Sequence, residues 1–383
     1  MRAKAFGVVG AVLLGAWGMS LGQSQRGTLV IAGGALKDSS NAIFKALVNA
    51  AGGTICAFGT ASSDPARVAG LAVADIEKAG GRGVAVDITV KNAAQSVSDP
   101  KVLEVLRGCA GFWFEGGDQR RIMEAFSPQG KASPALETIR ARFNAGAAVG
   151  GTSAGAAMMS DPMIAEGSSL EALRAGKATL EPGLGFASGV LTDQHFLKRG
   201  RFARLLLGMA QAKVKLGVGV DEDTALVIPG AGPWQVVGSS SVLLFEASAS
   251  LEPGRIGGVE VSLLSQNDTF DPRTGTIIHA SARRAIDPKD TYFGAGVRFD
   301  SNLLAPDAFK NLLQDFADSP ESTASGLIMT GSSSASFSDD AWRVVLEKTP
   351  RTQGYYGRGD GNTYTVMHMG LKLEPVRVTV APR

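Results

Sequence analysis

From Thr28 to about Pro229 short apolar runs alternate with amphipathic stretches, and no other feature constrains the fold of this chain as tightly. Leu29-Val30-Ile31-Ala32, Thr54 to Phe58, Val84-Ala85-Val86, Phe112-Trp113-Phe114 and Ala147 to Val149 have the length and continuous apolarity of fully buried strands. Between them lie Asn41 to Ala50, Ala66 to Ala79, Val102 to Leu106 and Ala135 to Phe143, with apolar residues at helical spacing. Continuous apolar strands joined by helices specify a mostly parallel sheet covered on both faces, an α/β doubly wound fold. Ligands bind such sheets at the carboxyl ends of the strands.

Past about Gly230 the texture changes. Val236-Val237, Val242 to Phe245, Val259 to Leu264 and Thr276-Ile277-Ile278 are separated by glycine, proline and serine. A helix over Pro306 to Phe316 and strands near Ile328, Val344-Val345, Tyr364 to Met367 and Val376 to Val380 follow. The expected division is an export signal over 1–22, a catalytic domain over 23–273 and a β-rich C-terminal extension over 274–383. The signal reading rests on Arg2 and Lys4, the apolar run from Ala5 to Trp17, and small Ser20 and Gly22 before a cleavage point. A membrane anchor competes with it, but the run is shorter than the ~20 residues a spanning helix needs. The mature chain is therefore expected to be secreted or periplasmic and free of the membrane.

The charges, 38 basic against 36 acidic, create no broad field for nucleic acid or anionic lipid, so charged recognition must be local. Two cysteines cannot make a disulfide scaffold. Cys56, inside Thr54-Ile55-Cys56-Ala57-Phe58, reads as a small buried residue, and no bridge to Cys109 is expected.

Gly151-Thr152-Ser153-Ala154-Gly155 follows the apolar Ala147-Ala148-Val149 and precedes good helix formers. A serine on so tight a strand-to-helix turn projects its hydroxyl beside backbone amides able to hold an oxyanion. Such a nucleophile needs a base, and the chain has three histidines. His195 follows the apolar Gly189-Val190-Leu191 and sits at another strand end, while His279 and His368 lie in the β-rich part. Alone, His195 reads as a satisfied structural histidine; beside Ser153 it reads as the base. Asp221-Glu222-Asp223 closes the strand-like Leu216-Gly217-Val218-Gly219-Val220 and would supply an acid to fix the imidazole tautomer. A solvated turn or a calcium-site fragment are the alternatives, the latter lacking the loop spacing that calcium requires. The order serine, histidine, acid differs from the α/β-hydrolases, where the acid precedes the histidine.

Gly116-Gly117 ends the bulky run Phe112 to Glu115, and its amides, with that of Ala154, would form an oxyanion pocket. The plain alternative is a strand-to-helix turn with Asp118 as N-cap. Arg201 and Arg204 share a face at the start of a helix. Cations there oppose the helix dipole, so either an anion lies between them or they form a solvated face.

Together these residues resemble the S51 serine peptidases, the family that holds peptidase E and the cyanophycinases. The resemblance runs from roughly Thr28 to Asp271 through Phe112 to Ile122, Gly150 to Ala156, Asp193 to Arg204 and Gly219 to Ala225, and is nearest to exported cyanophycinases with a C-terminal extension. It implies a fold like the class I glutamine amidotransferases, Ser153 as nucleophile, His195 as base and Glu222 as orienting acid. It also places Gln119, Asp193, Gln194, Arg199, Arg201 and Arg204 around the substrate. The implied activity is hydrolysis of cyanophycin, a polyaspartate carrying arginine on its β-carboxyls, to β-Asp-Arg dipeptides, with no metal or organic cofactor. A homodimer follows from the resemblance alone. Where relatives usually carry acidic residues, this chain has Gly33-Gly34-Ala35-Leu36-Lys37, expected to lie outside the triad on the outer substrate surface. An exported aspartyl or isoaspartyl dipeptidase and a non-catalytic module for anionic peptides are the competing functions.

Overall fold

The computed structural model describes residues 27–380 apart from 38–40, 250, 253, 297, 330–336 and 360. The expected export signal therefore lies outside the described residues. Two large sheets organise the chain. In the first, strands Leu29–Ala32, Ala148–Thr152, Gly111–Phe114, Thr54–Phe58 and Arg82–Ala85 run parallel in that spatial order. Thr224–Ile228, Trp234–Gly238, Thr269–Asp271 and Thr276–Ile278 extend it with antiparallel pairings beyond Leu29–Ala32.

Strand alternation divides the parallel part between two cores. Phe112 and Phe114 point to one face, against Phe58, Phe126, Leu136, Ile139 and Phe143. Trp113 points to the other, packing on Phe44 at 5.1 Å with Ile43, Leu47 and Ile76. The helices covering these faces carry ordinary start signals. Pro65–Lys78 begins with proline behind Asp64, whose side chain accepts from Arg67 N–H, and Ser133 caps Pro134–Asn144 in the same way.

The second sheet holds Val190–Asp193 and Leu216–Val220, parallel to each other, followed by Ser241–Ala247, Ile256–Ser265, Gly361–Val380, Phe337–Glu347, Thr323–Met329 and Arg298–Asp300. Strands from beyond residue 273 thus extend both sheets. One face of the second sheet (Val218, Val220, Val242, Leu244, Leu264) joins the core of the first. Its other face (Leu243, Phe245, Val261, Leu263) is covered by helices Phe202–Ala212 and Ala308–Ala317.

Two expectations are corrected. Cys56 and Cys109 form a disulfide, with Cα atoms 5.9 Å apart. Ile55 pairs with Gly111 on neighbouring parallel strands, and this crossover brings together cysteines 53 residues apart. The strands leading to His195 and Glu222 belong to the second sheet, not to the parallel sheet that carries Ser153. Residues 221–223 are the crossing point, since the strand before them lies in the second sheet and the strand after them in the first.

Candidate active site

Ser153 stands at the bend between Ala148–Thr152 and the short helix Ala154–Ala157, with φ 52° and ψ −108°. Such a backbone costs a non-glycine residue about 1–3 kcal/mol, so the surroundings must enforce it. Ser153 N–H donates to Ala32 O at 3.1 Å. The flanking glycines let the turn close: a Cβ on Gly155 would collide with the Phe114 carbonyl, and one on Gly151 would lie 2.6 Å from the Gly155 carbonyl oxygen.

Ser153 Oγ lies 2.9 Å from His195 Nε2, and His195 Nδ1 lies 2.6 Å from Glu222 Oε1. Three side chains from two sheets thus meet in one hydrogen-bonded line. Burial, the largest influence, pulls the His195 pKa below its ordinary 6.5; Glu222 opposes this, while Arg199 and Arg201 add to it. An imidazole kept neutral near pH 7 with its other nitrogen held by a carboxylate is able to accept a hydroxyl proton.

The neighbouring acids place that imidazole. Asp221 is fully buried, and its Oδ1 accepts from Leu197 N–H at 3.0 Å and Lys198 N–H at 3.1 Å, just past His195. Its Oδ2 accepts from Ser240 Oγ at 2.6 Å. Asp223, also buried, accepts from Lys37 N–H at 3.3 Å and from Ser239 Oγ at 2.6 Å, and its own N–H donates to Gly34 O. The three consecutive acids therefore hold the segment after His195, its ring, and the loop after Leu29–Ala32. The two glycines of that loop lie against His195 rather than outside the triad, while Ala35 and Lys37 are exposed. Gly33 O accepts from His195 N–H at 2.7 Å, and Gly34, at φ 105°, lies against the ring, where a Cβ would be 3.0 Å from Nδ1 and closer to Cε1 and Nε2. Sequence reasoning missed Asp221, Asp223 and Gly34; the paired glycines after the first strand were the available signal.

Gly116 abuts Ser153, with its would-be Cβ 3.2 Å from Ser153 Cβ. Its N–H also approaches Glu115 Oε2 at 3.4 Å. Burial pushes the Glu115 carboxyl above its usual range. Gly117 is turned against the Ala61 carbonyl. Ala154 is the first helical residue after Ser153, where an N–H has no intrahelical acceptor.

The expected substrate residues divide into two sets. Asp193 and Arg204 are buried and spent on each other: Arg204 Nε donates to Asp193 Oδ2 at 2.7 Å and Nη2 to Oδ1 at 2.5 Å. Gln119 is buried, and its amide nitrogen donates to the carbonyls of Ile164 and Ala165. Nearer the triad, Arg201 Nη1 donates to Gln194 O at 2.7 Å and stands 3.8 Å from Asp193. Burial draws the Arg201 pKa down to about 10, against a partial counter-pull from Asp193. Arg199 is exposed beside it, and Gln194 Oε1 is buried without a hydrogen-bond partner. The described residues include no group of three or more His, Cys, Asp or Glu able to hold a metal.

The model of peptidase family S51 matches residues 30–233, a span that holds Ser153, His195 and Glu222. The chain belongs to peptidase family S51. It is a serine peptidase by that membership. A cyanophycinase of Trichormus variabilis is 32% identical over 270 residues, covering 67% of this chain and 88% of that protein. A cyanophycinase of Geminocystis herdmanii is 30% identical over 260 residues, covering 64% of this chain and 93% of that protein. The S51 span ends before most strands of the second sheet, and residues beyond 233 join the S51 core through both sheets.

Proposed function

We propose that this S51 peptidase hydrolyses cyanophycin through a Ser153 acyl-enzyme and releases β-Asp-Arg dipeptides. The observation that carries the reading is the hydrogen-bonded line from Ser153 Oγ through His195 to Glu222, at 2.9 and 2.6 Å. Ser153 attacks a backbone aspartyl carbonyl while His195 Nε2 takes its proton, and Glu222 stabilises the imidazolium. The oxyanion rests on the amides of Ala154 and of Gly116 or Gly117. His195 then protonates the leaving amine, and water releases the acyl group by the reverse sequence.

Support for the substrate comes from the cyanophycinase relatives and from the local charges. Arg201 is a partly buried cation with only a 3.8 Å approach to Asp193, and a substrate carboxylate would complete its pairing. Gln194 Oε1 is an acceptor awaiting a donor such as a guanidinium or an amide. Export is part of the proposal, because an insoluble granule released by dead cells cannot be imported whole and has to be digested outside. The Cys56–Cys109 bridge agrees with an oxidising compartment.

Purified protein is incubated with cyanophycin and, separately, with Asp-X and isoaspartyl dipeptides, and the products are identified by mass. Release of β-Asp-Arg by the wild type and its loss in Ser153→Ala, with polymer binding kept, is the expected result. Cleavage of the dipeptides alone overturns the substrate. Binding without any turnover overturns the chemistry.

A further inference from the structure

The C-terminal region meets the segment that carries His195. Asp307 N–H donates to Leu197 O at 3.1 Å, and the Asp307 carboxylate pairs with the Lys198 ammonium. The backbone of Leu304 lies on Gly200, its carbonyl oxygen 2.5 Å and its Cα 2.8 Å from where a Cβ would stand. Phe309 stacks on Phe202 with ring centroids 4.2 Å apart and 17° between planes, and also faces Phe245, which packs on Phe196. Leu303 is fully buried in the same cluster as Phe196, Leu197 and Phe202. From the other side, Asp221 holds Leu197 N–H and Lys198 N–H. Residues 196–202 are therefore gripped between the acid-bearing turn and the start of helix Ala308–Ala317.

We infer that residues 303–309 are a clamp that positions His195, and with it Arg199 and Arg201, so that the C-terminal region is a working part of the active site. His195 itself has a left-handed backbone, φ 48°, and joins the strand Val190–Asp193 to this segment. A displacement of residues 196–202 is thus transmitted directly to the imidazole. Asp307 and Phe309 are positioning residues, since they act through the segment and touch no reacting atom. The clamp rests on the reading of Ser153, His195 and Glu222 as the catalytic relay.

The test reads the nucleophile without any assumption about substrate. The full-length protein is treated with a fluorophosphonate probe, which reacts with activated serine hydroxyls, and the labelling rate at Ser153 is measured well below each variant's melting temperature. Phe309→Ala is expected to label at least about tenfold more slowly, a misplacement near 1 Å costing up to about 10²-fold. Phe309→Leu is expected to recover most of the rate, and Asp307→Ala to lose about threefold or more. Tyr292→Ala, in the same region and 82% exposed, is expected to match the wild type. Should Phe309→Ala fail to fold, Asp307→Ala decides the matter alone. Wild-type labelling rates in Asp307→Ala and in folded Phe309→Ala overturn the clamp. A wild type that labels yet leaves cyanophycin intact overturns the substrate reading only, and the variant comparison still stands. A wild type that does not label overturns both relay and clamp.

Discussion

Replacing Gly34 by alanine sets a methyl group against the His195 imidazole. The added Cβ would stand 3.0 Å from His195 Nδ1 and closer still to Cε1 and Nε2, whereas carbon contacts settle at about 3.5–4.0 Å. The ring must recede by about 1 Å. Its link to Ser153 Oγ is 2.9 Å, so recession carries it to about 4 Å, beyond hydrogen-bond reach. A misplacement of that size costs about 10²-fold in rate, or about 2.7 kcal/mol of transition-state stabilisation. Gly34 also has φ 105°, so alanine adds about 1–3 kcal/mol of backbone strain. Gly232→Ala separates the two effects, because Gly232 has φ 100° and nothing within 4 Å of its would-be Cβ. In a dipeptide-release assay with melting temperatures recorded in parallel, Gly34→Ala is expected to lose about 10²-fold in kcat/KM. Gly232→Ala should lose thermal stability but keep wild-type kcat/KM. A Gly34→Ala enzyme within about threefold of wild type would refute the argument that this loop seats His195.

Other perturbations test neighbouring contacts. Asp221→Ala leaves the buried N–H of Leu197 and the part-buried N–H of Lys198 without their acceptor, and urea unfolding should show a loss of about 2–4 kcal/mol. Arg199→Gln removes a cation that disfavours imidazolium, so the His195 pKa rises and the acid limb of kcat/KM against pH moves to higher pH; an unmoved limb contradicts the assigned influence. Burial, reinforced by Glu260, raises the Glu246 pKa from 4.5 to about 7. Its ionisation is therefore disfavoured in the fold, and the wild type loses stability as pH climbs from about 4.5 through about 7. Glu246→Gln should be more stable than wild type by about 1–3 kcal/mol at pH 8, with little difference at pH 4, in paired denaturant titrations.

Four of the five parallel strands were legible because they are short and almost wholly buried; the fifth, Arg82–Ala85, is a mostly exposed edge strand, not the fully buried one expected at Val84-Ala85-Val86. Their alternation even places Trp113 and its neighbours Phe112 and Phe114 in different cores. Apolar periodicity does not tell which sheet a buried strand joins, and Val190–Asp193 and Leu216–Val220 went to the second sheet for that reason. The Cys56–Cys109 bridge depends on which parallel strands are neighbours, a tertiary fact absent from local pattern. Around the site, Ser153, His195 and Glu222 were each marked by a strand end. For the two arginines at the helix start the sequence offers an anion between them or a solvated face; Asp193, eleven residues before Arg204, is the buried anion that satisfies the second of them. The separate roles of Asp221 and Asp223 within the triplet are not legible in sequence, since their work is done on backbone amides brought in from elsewhere in the chain.

The most direct test of the account is to quench the enzyme in acid during turnover of cyanophycin and map the protein by mass. An aspartyl-peptide ester on Ser153, formed and lost in step with dipeptide release, is the predicted result. Steady dipeptide release with Ser153 unmodified at every quench time would contradict it.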